Sequence, residues 1–275
     1  HYPEIKSSKN KALDLLNLVM QKQCGLVIDW MRVGFIHGVM NTDNMAISGE
    51  TIDYGPCAFM DAYDPKTVFS SIDKFGRYAF SNQPPITKWN LARFAECLIP
   101  LIHKDENESI KVASEIIDNF QNIYEEKWLN MMRDKLGLFG KDQNDQKLIN
   151  DLLSWMEINN ADYTNTFCNL MNVNIEDKKV YEDQKFINWV KIWEKRVLMN
   201  NNLKEKSLDL MRNTNPTVIP RNHKVEEALN AANEDNFEVM NKLLNILNKP
   251  YSNQKNIENY QSLSTDKEYQ TFCGT

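Results

Sequence analysis

Three side chains between positions 43 and 53 carry oxygen atoms of the kind that bind divalent cations. Asp43, Asn44 and Asp53 lie within eleven positions of one another, around a predicted turn. Carboxylate and amide oxygens are the ligands that a hard cation such as Mg²⁺ prefers. Asp, Asn and Gly are also ordinary turn residues, so a plain turn is the alternative. Asp53 stands two residues before Gly55, where a short strand should end. This position favours a cation-binding site over a plain turn.

The order of these residues resembles the catalytic loop of protein kinases. There, a loop Asn and the Asp of an Asp-Phe-Gly segment hold magnesium under the phosphates of a nucleotide. Counting from His37, the seventh following residue is Asn44, as in kinase-like loops. The second is Val39, where those loops carry the Asp that acts as the catalytic base. Valine cannot accept a proton, so Asp43 is the candidate that supplies the missing carboxylate. We expect His37 to be structural, with a hydrogen bond to backbone near the Asp53 segment.

Composition excludes several classes of protein. The chain has 275 residues, 42% of them hydrophobic, which is enough for one large domain or two small ones. No apolar run is long enough to span a membrane. A net charge of −6 argues against a nucleic-acid-binding surface, and five cysteines without a CxxC pair argue against a zinc site or a disulfide scaffold.

The first residue is His1 with no preceding Met or signal pattern, so we expect the chain to begin inside a longer protein.

The elements that must position the candidate site are predicted to be mostly helices. Apolar periodicity predicts a long helix over residues 8–33, ended by Gly34 in a left-handed conformation. A hairpin is expected where residues 45–47 and 51–52 flank Ser48-Gly49-Glu50, with Tyr54 packed under the loop. Residues 55–85 are irregular. A loop this long in a compact domain is usually functional.

Beyond residue 85 the pattern is helical. Thr87 is a candidate N-cap, and an amphipathic stripe predicts one helix over residues 107–137. Further helices are predicted over residues 144–159, 162–172, 180–199, 203–213, 223–233 and 236–248. The predicted fold class is therefore mainly α, with a small β-hairpin at the site.

Longer motifs identify a family resemblance. The chain closely resembles the selenoprotein O family in residues 37–45, 51–56, 59–65, 76–84, 89–91 and 162–167, and in Asn215-Pro216 and Arg221-Asn222. The likeness covers nearly the whole chain. It implies a protein-kinase-like C-lobe over residues 1–105, a helical C-terminal extension over residues 106–250 and a polar tail over residues 251–275.

The resemblance also implies an activity. Members of this family transfer AMP from ATP to Ser, Thr or Tyr hydroxyls of proteins, with the nucleotide reversed relative to kinases. By this likeness Asp43 is the proton acceptor, Asn44 and Asp53 are the metal ligands, and Asp53 also lies near the nucleotide. The implied cofactor is Mg²⁺, with Mn²⁺ as the alternative, and ATP is the co-substrate. Partners are ATP and substrate proteins, without nucleic acid or membrane. A bacterial-type member is expected in the cytoplasm and a eukaryotic one in mitochondria.

Two features distinguish this chain from the family pattern. The glycines, Lys and Arg residues that hold the nucleotide belong to an N-terminal lobe that has no counterpart in these 275 residues, so we expect the chain alone to be inactive. Cys273 stands in the tail, where members carry selenocysteine or Cys, but Phe69 lies near the place of a loop Cys found in some bacterial members, and Cys57 is much closer to Asp53. A redox link from Cys273 to the loop after Asp53 is a hypothesis. Two alternatives to adenylyl transfer remain: a kinase-like enzyme that moves the γ-phosphoryl group, and a non-catalytic helical interaction module.

Overall fold

The chain folds mainly into α-helices, as predicted. A computed structural model describes residues 1–175, 178–199, 204–264 and 269–272. The helices are α1 Lys11–Val33, α2 Gln83–Ile102, α3 Glu106–Asp118, α4 Phe120–Lys135, α5 Asp145–Asn159, α6 Tyr163–Leu170, α7 Gln184–Val197, α8 Lys204–Thr214, α9 Asn222–Asn233, α10 Glu238–Leu247 and the single turn α11 Glu258–Gln261. Within these ranges, no helix has the length and apolar character needed to cross a membrane.

Helix α1 is the central element. Asn10 caps its first turn by accepting a hydrogen bond from the Leu13 N–H at 3.1 Å. Gly34 ends it in the left-handed region at φ 74°, as predicted. The N-terminal half of α1 packs with α2, α3 and the start of α4, where Leu16 and Phe120 are buried. Its C-terminal half belongs to a larger core shared with α5, α6, α7 and α8.

The small sheet lies elsewhere than predicted. Strand β1 (Phe35–Ile36) pairs antiparallel with β2 (Ala58–Phe59). The predicted hairpin over residues 45–52 is reduced to one bridge between Met45 and Thr51.

Side chains on or near α1 bond the residues of the predicted hairpin. Backbone carbonyls of its first arm accept hydrogen bonds from side chains near or on α1: Ala46 from Gln23 and Ile47 from the Tyr2 hydroxyl. The Trp30 indole N–H donates to the Thr51 hydroxyl at 2.9 Å. The Ala46 carbonyl also accepts the Gly49 N–H at 3.0 Å, so the residues between Met45 and Thr51 form a turn and not further ladder pairs.

Two helix boundaries also differ from prediction. Helix α2 begins at Gln83, with proline in its first turn, and Thr87 lies inside it with its hydroxyl bonded to the Gln83 carbonyl at 2.8 Å. Thr87 is therefore not the N-cap. Proline suits a first helical turn because that turn needs no N–H donor. The predicted helix over residues 107–137 is two helices, interrupted at Asn119. The apolar stripe continues across this break, so periodicity alone could not reveal it.

A buried ion network ties the later helices together. Asp145, with no exposed side-chain surface, accepts hydrogen bonds from Arg133 Nε at 2.6 Å and from Arg196 Nε at 2.7 Å. These side chains come from α4, α5 and α7. Two tryptophans of α7 reinforce the arrangement: Trp189 donates to the Leu148 carbonyl and Trp193 to the Leu136 carbonyl, each at 2.8 Å.

The end of the chain returns to the irregular loop. Thr271 forms a parallel bridge with Ser70, and its hydroxyl donates to the Pro56 carbonyl at 2.7 Å. Tyr269 packs its ring edge-on against Phe69. Residues 269–272 therefore hold the loop that follows the candidate site.

Candidate active site

His37 connects the two segments that carry the candidate residues. It is 1% exposed. Its Nε2 lies 2.8 Å from the Ile52 carbonyl, and its Nδ1 accepts the Val39 N–H at 3.4 Å. This pairing requires the neutral ring with the proton on Nε2. Burial lowers the pKa of His37, which favours the same neutral form. The backbone hydrogen bond expected of His37 is thus present.

Asp43 and Asn44 lie on a short 3-10 helix, Thr42–Asn44, that follows this loop. The Asn44 amide nitrogen donates to the Val39 carbonyl at 3.1 Å. This bond orients the Asn44 side chain. Asp43 is exposed. Its carboxylate is therefore accessible from solvent.

Asp53 has an unusual backbone conformation. Its φ is 53°, in the left-handed region that most side chains avoid, and its carbonyl accepts the Gly55 N–H at 2.8 Å. For a residue other than glycine this conformation costs about 1 kcal/mol, and such strain is concentrated at functional sites. The residue before Asp53, Ile52, is held by the hydrogen bond that its carbonyl accepts from His37. The Asp53 side chain is exposed.

Gly38 allows the two segments to approach closely. Its φ is 84°, and a Cβ atom there would lie 2.6 Å from the Pro56 carbonyl oxygen. Only glycine satisfies both requirements. The structure therefore joins the segment of Asp43 and Asn44 to that of Asp53 through Gly38 and His37, and leaves both carboxylates on the surface.

The donor set suits a hard cation. Across the described parts of the chain, no group of three or more His, Cys, Asp or Glu side chains is arranged so that it could hold a metal ion. The predicted pair, Asn44 and Asp53, supplies one amide and one carboxylate oxygen. Mg²⁺ commonly retains several waters and takes one or two carboxylates together with substrate phosphates. In chemical type, the residues present fit this cation.

Several supporting residues were not predicted. Gln83 is fully buried; its Oε1 accepts the His37 N–H at 3.0 Å and its Nε2 donates to the Phe35 carbonyl at 3.0 Å. Asn90 donates to the Met40 carbonyl at 2.8 Å, and the Tyr78 hydroxyl donates to Asn41 Oδ1 at 2.7 Å. The available signals were that Gln83 directly precedes two prolines at a helix start and that Tyr78, Gln83 and Asn90 lie in motifs that carried the family resemblance.

Tyr54 does not pack under the loop as expected. It is 67% exposed and borders an apolar cavity of about 480 Å³ together with Trp30 and Phe35. Its sequence position resembles that of the kinase Phe, but here the ring faces outward.

A buried ion cluster holds the loop that follows Asp53. Arg221, 1% exposed, donates to Asp61 at 2.6 Å and to both oxygens of Asp162 at 2.5 and 3.1 Å. An antiparallel bridge between Ala62 and Asp162 reinforces this contact. These residues lie in motifs that carried the family resemblance.

The cysteine hypothesis concerns Cys273, which lies outside the described residues. Cys57 is partly buried, and burial raises the pKa of its thiol. A raised pKa keeps a thiol protonated and less reactive.

Comparison with known proteins bears on the whole chain. The family described as "Protein adenylyltransferase SelO" matches residues 1–248. A protein of Pelagibacter ubique described as "Protein nucleotidyltransferase YdiU" is 63% identical over 277 residues, which is all of this chain and 57% of that protein. Proteins with the same description from Nitrosococcus oceani and Alkaliphilus metalliredigens are 51% and 50% identical, again over the whole chain.

This chain spans a little over half the length of these relatives, 56–57%. The family match covers most of its residues, and two of the motifs that suggested the likeness contain His37, Gly38 and Asp53. The chain belongs to the SelO family of protein adenylyltransferases.

Proposed function

We propose that the protein containing this chain transfers AMP from ATP to Ser, Thr or Tyr hydroxyls of other proteins, on a kinase-like C-lobe. The observation that carries the proposal is the His37 linkage. It joins the segment of exposed Asp43 and of Asn44 to that of exposed Asp53. Family membership supports adenylyl transfer as the reaction. The proposed division is a core over residues 1–105, an extension over residues 106–250 and a tail over residues 251–275, in a cytoplasmic protein.

Asp43 has the role of general base in this proposal. As the hydroxyl oxygen bonds to the α-phosphorus, Asp43 accepts the hydroxyl proton and the bond to pyrophosphate breaks. The exposed position of Asp43 allows a substrate protein to reach it. Asn44 and Asp53 would hold Mg²⁺, or Mn²⁺ in its place, with Asp53 also near the nucleotide. When bound, the cation neutralises charge that develops on the phosphates.

Parallel reactions with α-labelled and γ-labelled ATP test the reaction type on the full-length protein. We expect label on protein from the α position only. Label from the γ position alone would identify a kinase-like enzyme instead and overturn the adenylyl proposal.

Variants of the full-length protein test the site. Asp43→Ala and Asp53→Ala should each reduce transfer by about 10²-fold or more, because a base and a charge-stabilising ligand are removed. Glu50→Gln is the matched control, since Glu50 is exposed in the neighbouring turn and should leave the rate unchanged. Unchanged transfer in both Asp variants would refute the assigned site.

A non-catalytic role is the second candidate, because Val39 occupies the usual position of the kinase base. An interaction module would bind partners without labelling them from ATP. Loss of transfer in the Asp43 and Asp53 variants, with retained folding, would exclude it.

The 275 residues alone should bind ATP weakly. They supply the proposed cation ligands but few groups for the base, ribose or triphosphate. Calorimetry with ATP and Mg²⁺ should detect no micromolar affinity for residues 1–275, whereas the full-length protein should bind. Micromolar affinity of the shorter chain would contradict this expectation.

A further inference from the structure

A groove of about 720 Å³ lies beside the loop that carries Asp43. One wall comes from that loop and the other from residues 72–86. The lining residues used below are Asn41, Ile72, Asp73, Lys74, Phe75, Arg77 and Tyr78. Asp43, Asn44 and Asp53 are not part of its lining, so the groove is a separate feature next to the proposed catalytic residue.

Two large apolar side chains at this groove face solvent. Phe75 is 98% exposed and Ile72 is 66% exposed. A fully exposed aromatic ring gives up the favourable free energy of burial, and exposed apolar side chains grouped at a concave surface mark interaction sites. The groove therefore offers apolar surface to a ligand that can cover it.

The groove is lined by two cationic side chains, Lys74 and Arg77, and one carboxylate, Asp73. Both carboxylate oxygens of Asp73 accept backbone N–H groups, from Arg77 at 2.9 Å and from Tyr78 at 2.8 Å. Within the described residues, neither Lys74 nor Arg77 has a carboxylate at ion-pair distance. Arg77 instead lies over the Tyr78 and Trp89 rings, at 5.7 and 5.1 Å from their centroids. Two cationic side chains without a paired carboxylate thus lie beside one carboxylate that backbone N–H groups hold in place.

Hydrogen bonds connect the groove to the turn that carries the proposed base, Asp43. The Tyr78 hydroxyl donates to Asn41 Oδ1 at 2.7 Å, and the Asn41 carbonyl accepts the Asn44 N–H at 3.0 Å. Asn41 is only two residues from Asp43. An extended peptide bound against Tyr78 would therefore pass close to the turn that presents Asp43.

We propose that this groove binds the acceptor segment of the substrate protein. Its occupant is a peptide in which a hydroxyl-bearing residue is accompanied by an apolar side chain, covering Phe75 and Ile72, and by an acidic side chain, paired with Lys74 and Arg77. The proposal rests on the proposed transfer of AMP to protein hydroxyls, and it adds the chemical class of the acceptor.

Peptide binding to the full-length protein tests the groove independently of transfer. The probes are short fluorescein-labelled peptides that differ only in whether Glu or Lys flanks one Ser and one Leu. Fluorescence anisotropy should show the Glu peptide binding about tenfold more tightly, as expected for exposed charge pairs acting together. The difference should shrink as salt screens the charges.

Charge reversal and truncation provide the decisive variants. Lys74→Glu combined with Arg77→Glu should reverse the preference toward the Lys peptide, which a loss of folding could not do. Phe75→Ala should weaken binding of both peptides about tenfold. The matched controls are Lys66→Glu, in the same loop outside the groove, and Leu101→Ala, 70% exposed on α2. Both should bind as the unmodified protein does.

Transfer from α-labelled ATP to the same peptides separates the two proposals. The Phe75 variant should raise KM for peptide and leave kcat unchanged. Equal binding of the two peptides, or a preference that survives the double reversal, would overturn the groove assignment even if proteins are still labelled. Selective binding without any α-label on peptide or protein would refute the transfer and leave a peptide-binding groove.

Discussion

His37 makes hydrogen bonds with both ring nitrogens, and its neutral form is the one that fits. Protonation of Nδ1 would remove the acceptor for the Val39 N–H and place a charge in a buried position. Because the pKa of His37 is lowered from 6.5 by burial, the unfolded chain binds a proton first as the pH falls. The stability contributed by the neutral ring is present above about pH 6.5 and decreases below it.

The acid sensitivity of folding should therefore depend on this residue. We expect the free energy of unfolding of the 275-residue chain to fall between pH 7.5 and 5.5, and His37→Gln to reduce that fall. Each unit by which the pKa is lowered contributes about 1.4 kcal/mol. Urea unfolding at the two pH values measures the effect.

His223 supplies the comparison, because burial lowers its pKa as well, at a less enclosed position. His223→Gln should remove a smaller part of the pH dependence. An equal pH dependence in His37→Gln and the unmodified chain would show that the ring is not held neutral.

At the scale of elements, the close approach of the loop at Gly38 to the segment at Pro56 determines the site. Both Gly38 and Gly76 have positive φ, at 84° and 67°. They differ in space: a Cβ at Gly76 would meet its nearest atoms at 3.7 and 3.8 Å, whereas at Gly38 the Pro56 oxygen is 2.6 Å away. The pair therefore separates backbone strain from steric overlap.

Gly76→Ala should cost about 1–2 kcal/mol, the strain of a left-handed alanine. Gly38→Ala should cost more, about 2–4 kcal/mol, because strain and overlap add. Urea unfolding of both variants measures the difference, and transfer assays on the full-length protein should show the larger loss for Gly38→Ala. Equal destabilisation would mean that the Pro56 segment moves away without cost.

At the scale of the whole molecule, the buried network around Asp145 connects three helices of the larger core. Arg133 and Arg196 leave Asp145 well paired, and their hydrogen bonds lower its pKa despite the opposing effect of burial. Removing the negative charge would leave two buried guanidinium groups without a counter-ion. The cost of breaking such a buried pair is large.

Asp145→Asn should lower the free energy of unfolding by about 3–5 kcal/mol. Asp151→Asn, on the same helix, removes a surface ion pair with Lys147 and should cost about 0.5 kcal/mol or less. Urea unfolding measures both. A small effect at Asp145 would show that the ion network contributes little to holding α4, α5 and α7 together.

The sequence by itself determined the helical class, the end of α1 at Gly34 and the candidates Asp43, Asn44 and Asp53. These features are local: they follow from apolar periodicity, a glycine stop and residue types at close spacing. The family followed from motifs for the same reason, since each motif is a short contiguous string.

Tertiary structure alone decided how those candidates are supported. The predicted hairpin is reduced to one bridge, and Gln23 and Tyr2 bond the carbonyls of its turn from distant parts of the chain. Gln83 bonds His37 across 46 positions, and Arg221 bonds Asp61 across 160. Such contacts arise from packing of separate elements, so their energies enter only when the core has assembled, and no local pattern encodes them.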